Sequence, residues 1–375
     1  MASVSAGSVA LAAKTGGVME HSLAAAVVAR VRLVLVLLGV SVLMAPSLSA
    51  AEGFSFRARS SAEAEWRPVN IQLLQSAQRP WSLCVILPNL RDSYWSLVRY
   101  GVESEAHALN LSLTLIEAHG YDAIEQQREL IQKRCLDTPH DALILAAVDH
   151  SALNGVVREV RAAGLPVIDL INGISAPEVS ARVAVDYGDL ANALGHYMVE
   201  HFVHGQVLWQ PGPEGSHWTL DADNGFKRAI AGSSLTVAHS YRARPFVREQ
   251  REQLQQLAQQ VRFNRVAGTA VTAEAAVSLR DQLPSGTEIF SYYYNPRIHR
   301  LIGCGRIKAA LYDYPALQGR VAVDQAVRVL ERQPFEFHLA SDWLLLTADN
   351  LDQTLVPFLT PPDLMDELTV NTCSP

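Results

Sequence analysis

From Trp81 onward the chain alternates short, continuous apolar runs with longer amphipathic stretches, and it runs through that alternation twice. Residues 83–87, 111–117, 142–147 and 167–170 read as strands. Residues 94–109, 122–134 and 151–163 read as helices, the first with Leu97, Gly101 and Ala108 on its inner face, the third capped by Ser151 and Gly164. Such alternation implies βαβ units and a parallel sheet, and a run as uniformly apolar as 142–147 suits a sheet covered on both faces. Residues 183–186 then lead through Tyr187 into a helix over 190–204, and the rhythm restarts. Strands fall at 207–210, 236–240, 266–268 and 287–292, with helical segments at 225–231, 249–260 and 273–282. The chain is therefore expected to be an α/β protein of two Rossmann-like lobes, each with a parallel sheet, joined by a hinge of several crossovers. The expected course is an N-terminal arm over 52–80, a first lobe from 81–186 with 295–314, and a second lobe from 187–294 with 315–375. The chain would cross back near Tyr293 and Tyr294, and the Pro-rich end would return across the hinge.

A chain of 375 residues, 49% hydrophobic and 18% charged, can fill two cores of ordinary domain size. Its 31 Lys and Arg are outnumbered by 38 Asp and Glu, and no basic run is long enough to neutralise a row of phosphates, which argues against a nucleic-acid partner. At the N-terminus, Arg30 and Arg32 precede an apolar run over 33–44, followed by Pro46 and the small residues Ser47, Ser49, Ala50 and Ala51. This is the outline of a signal peptide within 1–51, with translation starting at Met19 and cleavage after Ala51. The apolar run is shorter than the roughly 20 residues that span a bilayer. Val31 separates the two arginines, so the leader reads as a Sec-type signal to the periplasm of a Gram-negative bacterium rather than a twin-arginine signal. Of the four cysteines, Cys84 in the first strand and Cys135 at the end of the second helix belong to neighbouring elements. They form either a disulfide or two buried free thiols.

Catalytic signatures are missing: the sequence has no G-x-S-x-G elbow, no H-E-x-x-H pair and no phosphate-binding G-x-x-x-x-G-K-[ST] loop. Gly303 and Gly305 lack the third glycine of a dinucleotide fingerprint. His201 and His204 come nearest to metal spacing, and such a pair on a helix is commonly solvated, so neither a metal nor a cofactor is expected. What the sequence does concentrate is aromatic residues at strand-to-helix junctions: Tyr94 and Trp95, Tyr121, Tyr187, and Tyr292, Tyr293 and Tyr294. Core packing would place rings inside the elements, so rings at the strand mouths point to a ligand box, the competing role being hinge packing. Aromatic faces attract cations such as quaternary ammonium groups. Asp92 and Asp186 stand beside these rings and are placed to orient a polar ligand, while Asp92 also fits an N-cap.

The run Asp92-Ser93-Tyr94-Trp95, with Tyr100-Gly101-Val102, Ser104-Glu105-Ala106, Glu117-Ala118-His119-Gly120-Tyr121, Gln126-Gln127, Val148-Asp149, Ala184-Val185-Asp186, Ala270-Val271 and Asp313, resembles the TorT family of periplasmic binding proteins that sense trimethylamine N-oxide. The resemblance implies a type I periplasmic binding-protein fold, similar to ribose-binding proteins, and no catalysis. It implies a small-molecule ligand, trimethylamine N-oxide or a related methylated solute. It also implies a partner, the periplasmic sensor domain of a TorS-like histidine kinase that regulates trimethylamine N-oxide respiration. Asp92, Tyr94, Trp95, Tyr121 and Tyr293 fall on motif positions of the family's pocket, and Cys84 and Cys135 fall on family cysteines. Tyr187 stands where relatives are expected to carry tryptophan. A solute-binding component of an ABC transporter, with a sugar ligand, would share fold and export. Its pocket would be fringed by Arg, Asp and Asn rather than by aromatic turns.

Overall fold

The computed structural model describes residues 53–61, 64–202, 204–214 and 216–369; the expected leader over 1–51 and its cleavage site lie outside them. Two sheets organise the chain. The first has eight strands in the order β2 (Arg67–Ile71), β1 (Phe54–Arg59), β13 (His338–Ser341), β7 (Ala181–Ala184), β6 (Val167–Ile171), β5 (Ala142–Leu145), β3 (Ser82–Leu87) and β4 (Ser112–Glu117). Pairing is parallel from β13 through β4, and β1 pairs antiparallel with both β13 and β2. The second sheet runs β14 (Leu344–Leu346), β12 (Ala309–Tyr312), β11 (Glu288–Ser291), β10 (Arg265–Gly268), β8 (Gly205–Gln210), β9 (Leu235–Ser240). Only the β12–β14 pair in it is antiparallel.

The helices of the first lobe are α1 (Ser93–Ala108), α2 (Ile124–Leu130), which continues as a π-helical turn over Ile131–Leu136, and α3 (Asn154–Ala162). The second lobe carries α4 (Tyr187–His201), α5 (His217–Ile230), α6 (Val247–Gln260), α7 (Ala270–Ser278) and α8 (Pro296–Gly303). Two more follow, α9 (Pro315–Glu331) and α10 (Pro362–Thr369). Successive strand side chains point to opposite faces, and β3 shows the result. Leu83, Val85 and Leu87 join the core under α1 and α9, whereas Cys84 and Ile86 join a separate core with Leu143, Leu145, Val157 and Ile131. Cys84 and Cys135 are disulfide-bonded in that second core, their Cα atoms 5.5 Å apart.

The pairing departs from the expected course of the chain in three places. The arm over 52–80 is not irregular: its alternating Phe54, Phe56 and Ala58 are buried, and β1 and β2 extend the first sheet. The segment 295–314 does not return to the first lobe. Its strand β12 lies parallel beside β11, reached through α8 by an ordinary crossover, so the chain leaves the second sheet only after Tyr312. From there α9 packs on α1 and across β5, β6 and β7, and β13 completes the first sheet before β14 rejoins the second. Within the helices, Ala108 is exposed while Gly101 and Leu97 face inward, and Asp149 rather than Ser151 gathers the N–H groups ahead of α3, accepting from Ser151 and Ala152 at 2.8 and 2.7 Å.

Each lobe is closed by one tight helix pair. A Cβ on Gly101 would lie 1.8 Å from the Ala316 carbonyl oxygen at the α1–α9 crossing, and one on Gly225 would lie 1.9 Å from that of Gly188 at α4–α5. Only glycine permits backbones this close. Beside the first crossing, Arg320 donates to Glu105 at 3.1 Å, both buried, and sits over the Phe358 ring at 3.9 Å. Phe358 in turn stacks on Phe54, and Thr354 bonds His299 of α8, so the C-terminal segment touches both lobes.

Candidate functional site

In open α/β sheets ligands sit beyond the carboxyl ends of the strands, where strand order reverses. Here β3 lies between β4 and β5, and β8 between β9 and β10, so each sheet has such a switch point. Eight side chains from these ends enclose one small cavity of about 30 Å³: Asp92, Tyr94, Trp95, Tyr121, Asn172, Tyr187, Trp218 and Tyr293. Asp92, Tyr94 and Trp95 follow β3, Tyr121 follows β4, Asn172 follows β6 and Tyr187 follows β7. Trp218 and Tyr293 come from the second lobe, after β8 and β11.

The rings are fixed against one another. Tyr94 meets Trp95 edge-on at 5.5 Å and Tyr293 at 6.0 Å. Tyr187 leans on Trp218 at 5.0 Å and meets Tyr292 edge-on at 6.4 Å. These are the offset and T-shaped arrangements that aromatic quadrupoles favour. Their polar tips are held too. The Tyr94 hydroxyl donates to Asp313 at 2.7 Å, and the Trp95 indole N–H donates to the Tyr121 hydroxyl at 3.3 Å. Asn172 donates to the Ala147 carbonyl at 2.7 Å and hydrogen-bonds Tyr121. Asn172 is presented by Ile171, a β-branched residue at φ 67°. Strain of this kind costs on the order of 1–3 kcal/mol and is concentrated at functional sites. The neighbouring loop is pinned by buried Gln127, which bonds the backbone of both Ala146 and Val148.

Burial dominates the electrostatics of the box. Burial pushes the hydroxyls of Tyr94, Tyr187 and Tyr293 well up, and that of Tyr121 in the same direction, so all four stay protonated. Asp92 caps α1 by accepting from the Tyr94 N–H at 3.0 Å, and burial raises its carboxyl to about 6. Asp313, beneath Tyr94, is likewise raised to about 6 by burial, against the hydrogen bonds of Tyr94 and Gln318.

Of the nine residues singled out from sequence, Asp92, Tyr94, Trp95, Tyr121, Tyr187 and Tyr293 meet around one cavity, whereas Tyr292 and Tyr294 are buried in the core and do not line it. Nor does Asp186. Its carboxylate caps α4 by accepting from the Asp189 N–H and lies 3.7 Å from Arg57, facing an adjoining cleft of about 770 Å³ lined also by Arg59, Trp66, Asp169, Arg182 and His338. Asn172 and Trp218 were not foreseen. Nothing near Asn172 signals a site, but Trp218 had a signal: Ser216-His217-Trp218 opens the helix after β8 much as Ser93-Tyr94-Trp95 opens the helix after β3. His201 bonds the Tyr197 carbonyl, and among the described residues no group of three or more His, Cys, Asp or Glu is placed to hold a metal ion. No helix among them is long and apolar enough to cross a membrane.

A family model for a periplasmic binding protein domain matches residues 83–334. The periplasmic protein TorT of Escherichia coli O157:H7 is 31% identical over 324 residues, covering 85% of this chain and 92% of that protein. Among solved structures, an ABC transporter solute-binding protein from Bradyrhizobium sp. BTAi1 with bound Bis-Tris superposes with a TM-score of 0.74 at 32% identity, over 84% of this chain and 98% of the other. TorT in complex with the TorS sensor domain in the presence of trimethylamine N-oxide superposes at 0.68 with 28% identity, over 76% and 98%. The chain belongs to the periplasmic binding protein family, whose members bind solutes rather than transform them, and within that family to the TorT branch.

Proposed function

We propose that this protein is exported to the periplasm, where it binds trimethylamine N-oxide or a related small methylated solute in the aromatic box and reports it to a TorS-like sensor kinase. The observation that carries this reading is the box itself. Six aromatic rings from two lobes surround about 30 Å³, far below the roughly 300–1,000 Å³ of pockets for drug-sized ligands. A solute of a few heavy atoms with methyls around a positive nitrogen matches those walls, each cation–ring contact contributing about 0.5–2 kcal/mol. A sugar ring does not match that space. The solved TorT–TorS complex with trimethylamine N-oxide supports the same ligand and partner, and the leader read over 1–51 supports export.

Signalling would follow from lobe closure. Rings of both lobes form the box, so a ligand held there favours the closed arrangement, and it shifts the equilibrium only by its difference in affinity for the two states. Titration calorimetry with trimethylamine N-oxide, with and without the kinase sensor domain, tests the assignment: heat of binding is expected in at least one setting, and none in either would remove this ligand. The Bis-Tris complex of the Bradyrhizobium protein favours a second reading, an ABC transporter component for a polyhydroxylated amine, which would occupy the adjoining cleft of about 770 Å³ rather than the small box. Titration with Bis-Tris under the same conditions separates the two.

A further inference from the structure

We propose that the cleft of about 770 Å³ beside the box is a second ligand site, filled independently of the box, and that it takes a small amine bearing hydroxyl groups. It shares its ligand class with the second reading above but requires neither a transporter nor an empty box. Strand register builds the site. Asp169 of β6 pairs with Arg182 of β7, Arg182 with His338 of β13, and His338 with Arg59 of β1, so the four form one row straight across the first sheet. Neighbouring side chains on a strand point to opposite faces. Leu170, Val183, Leu339 and Ala58 turn to the core that α9 covers, and the row of four turns to the other face. A parallel sheet is normally apolar on both faces, and here one face carries charge. The next residues toward the carboxyl ends of β7 and β13 on that face are Ala184 and Ala340, paired with each other, and their small side chains leave the trough that is the cleft.

The floor of this trough is short of donors. The terminal nitrogens of Arg182 go to Asp169 and to the carbonyls of Ile174 and Ala176. Arg59 donates to His338 at 3.0 Å and lies over the Trp66 ring at 4.4 Å. Asp169 is 1% exposed, and one of its oxygens accepts from Arg182 and from the Ile174 N–H. Its other oxygen is buried with no hydrogen-bond partner among the described residues. An unmatched buried acceptor is costly and is satisfied by a donor. Burial also pushes the Asp169 carboxyl up against the pull of Arg182, and a second cation beside it offsets that burial. An ammonium group meets both demands at once. The carbon skeleton of such a solute has the Trp66, Tyr187 and Trp218 rings along the wall, whose faces attract cations. Its hydroxyls face Asp186 and Asp221 at the rim. The volume lies within the roughly 300–1,000 Å³ of small-molecule pockets. Tyr187 and Trp218, in contact at 5.0 Å, line both cavities and stand between them, so the two can be occupied together.

The test is calorimetry near neutral pH in phosphate buffer with tris(hydroxymethyl)aminomethane and with triethanolamine, each with and without saturating trimethylamine N-oxide. Pentaerythritol, which replaces the amino group of the first by a fourth hydroxymethyl arm, is the uncharged control. Either amine is expected to bind, undiminished by the N-oxide, and pentaerythritol to bind at least about tenfold more weakly for want of the charged contact. Asp169→Asn should weaken the amine to a similar degree. Because Asp169 also holds Arg182, a second variant keeps the test separate from folding. Trp66→Ala removes a half-buried ring outside the box, so it should weaken the amine about 3- to 30-fold and leave N-oxide binding unchanged. The proposal is overturned if neither amine binds, if saturating N-oxide displaces the amine, or if pentaerythritol binds as tightly. The first of these leaves the N-oxide assignment standing. Amine binding with no N-oxide binding supports the cleft site and removes only the ligand assigned to the box.

Discussion

Trp218 and Asp186 show what a residue's neighbours in sequence do and do not reveal. Asp186 was placed at the site because it adjoins Tyr187, but the turn into α4 sends consecutive side chains to different sides, and a carboxylate before a helix is drawn to its free N–H groups. Trp218 lay unseen because its helix could be recognised by periodicity only further along. Its substitution separates the two roles. Trp218→Leu removes one ring from the box at a half-buried position, so ligand affinity should fall about 3- to 30-fold, the equivalent of one lost cation–ring contact, with little change in melting temperature. Asp186→Asn keeps the cap and should leave affinity unchanged when measured by the same calorimetry. Equal losses from both would mean that the cavity and the larger cleft act as one site.

Among the elements, the continuous apolar strands were legible because such runs leave little choice, whereas β1 is a short alternating run, Phe54, Phe56 and Ala58 against Ser55 and Arg57, standing ahead of the regular strand–helix rhythm that begins at Trp81. Which sheet β12 joins was illegible for a different reason: Ala-Ala-Leu-Tyr is as acceptable beside β11 as in the other lobe, and pairing is decided by the crossover through α8. Glycine at 101 was legible as a helix contact, though not how tight that contact is. Gly101→Ala forces α1 and α9 apart and should lower stability by about 1–3 kcal/mol, read as a lower denaturant midpoint with unchanged slope. The adjacent ion pair gives a pH signature. Burial already raises Glu105 to about 7 despite Arg320. Between about 4.5 and about 7 its folded form therefore holds a proton that the unfolded chain has released, so stability from this group falls as pH rises across that interval and levels off above it. Arg320→Ala leaves the carboxylate buried and unpaired. The cost should be greatest, about 3–5 kcal/mol, above neutral pH and shrink as acid neutralises Glu105, which melting curves across pH will show.

For the molecule as a whole, affinity depends on contacts outside the box as well as on its walls. Arg244, after β9, reaches Asp122, after β4, at 3.4 Å, and His150 stacks on His217 at 4.5 Å, so both pairs join loops of opposite lobes at the mouth of the site. Neither touches the small cavity. A ligand that requires closure binds with an apparent dissociation constant equal to its intrinsic value divided by the closed fraction. Weakening the mouth must then weaken binding without altering a single wall. The size of the effect is bounded, because Asp122 and Arg244 are both more than half exposed and such a pair is worth at most about 1 kcal/mol. Asp122→Asn should therefore weaken ligand binding by no more than about fivefold at low salt, with the loss fading as salt screens the pair in the wild type. Solution scattering of the ligand-free variant should show a larger radius of gyration. Unchanged affinity at low salt would mean that the lobes close on the ligand through the aromatic box alone.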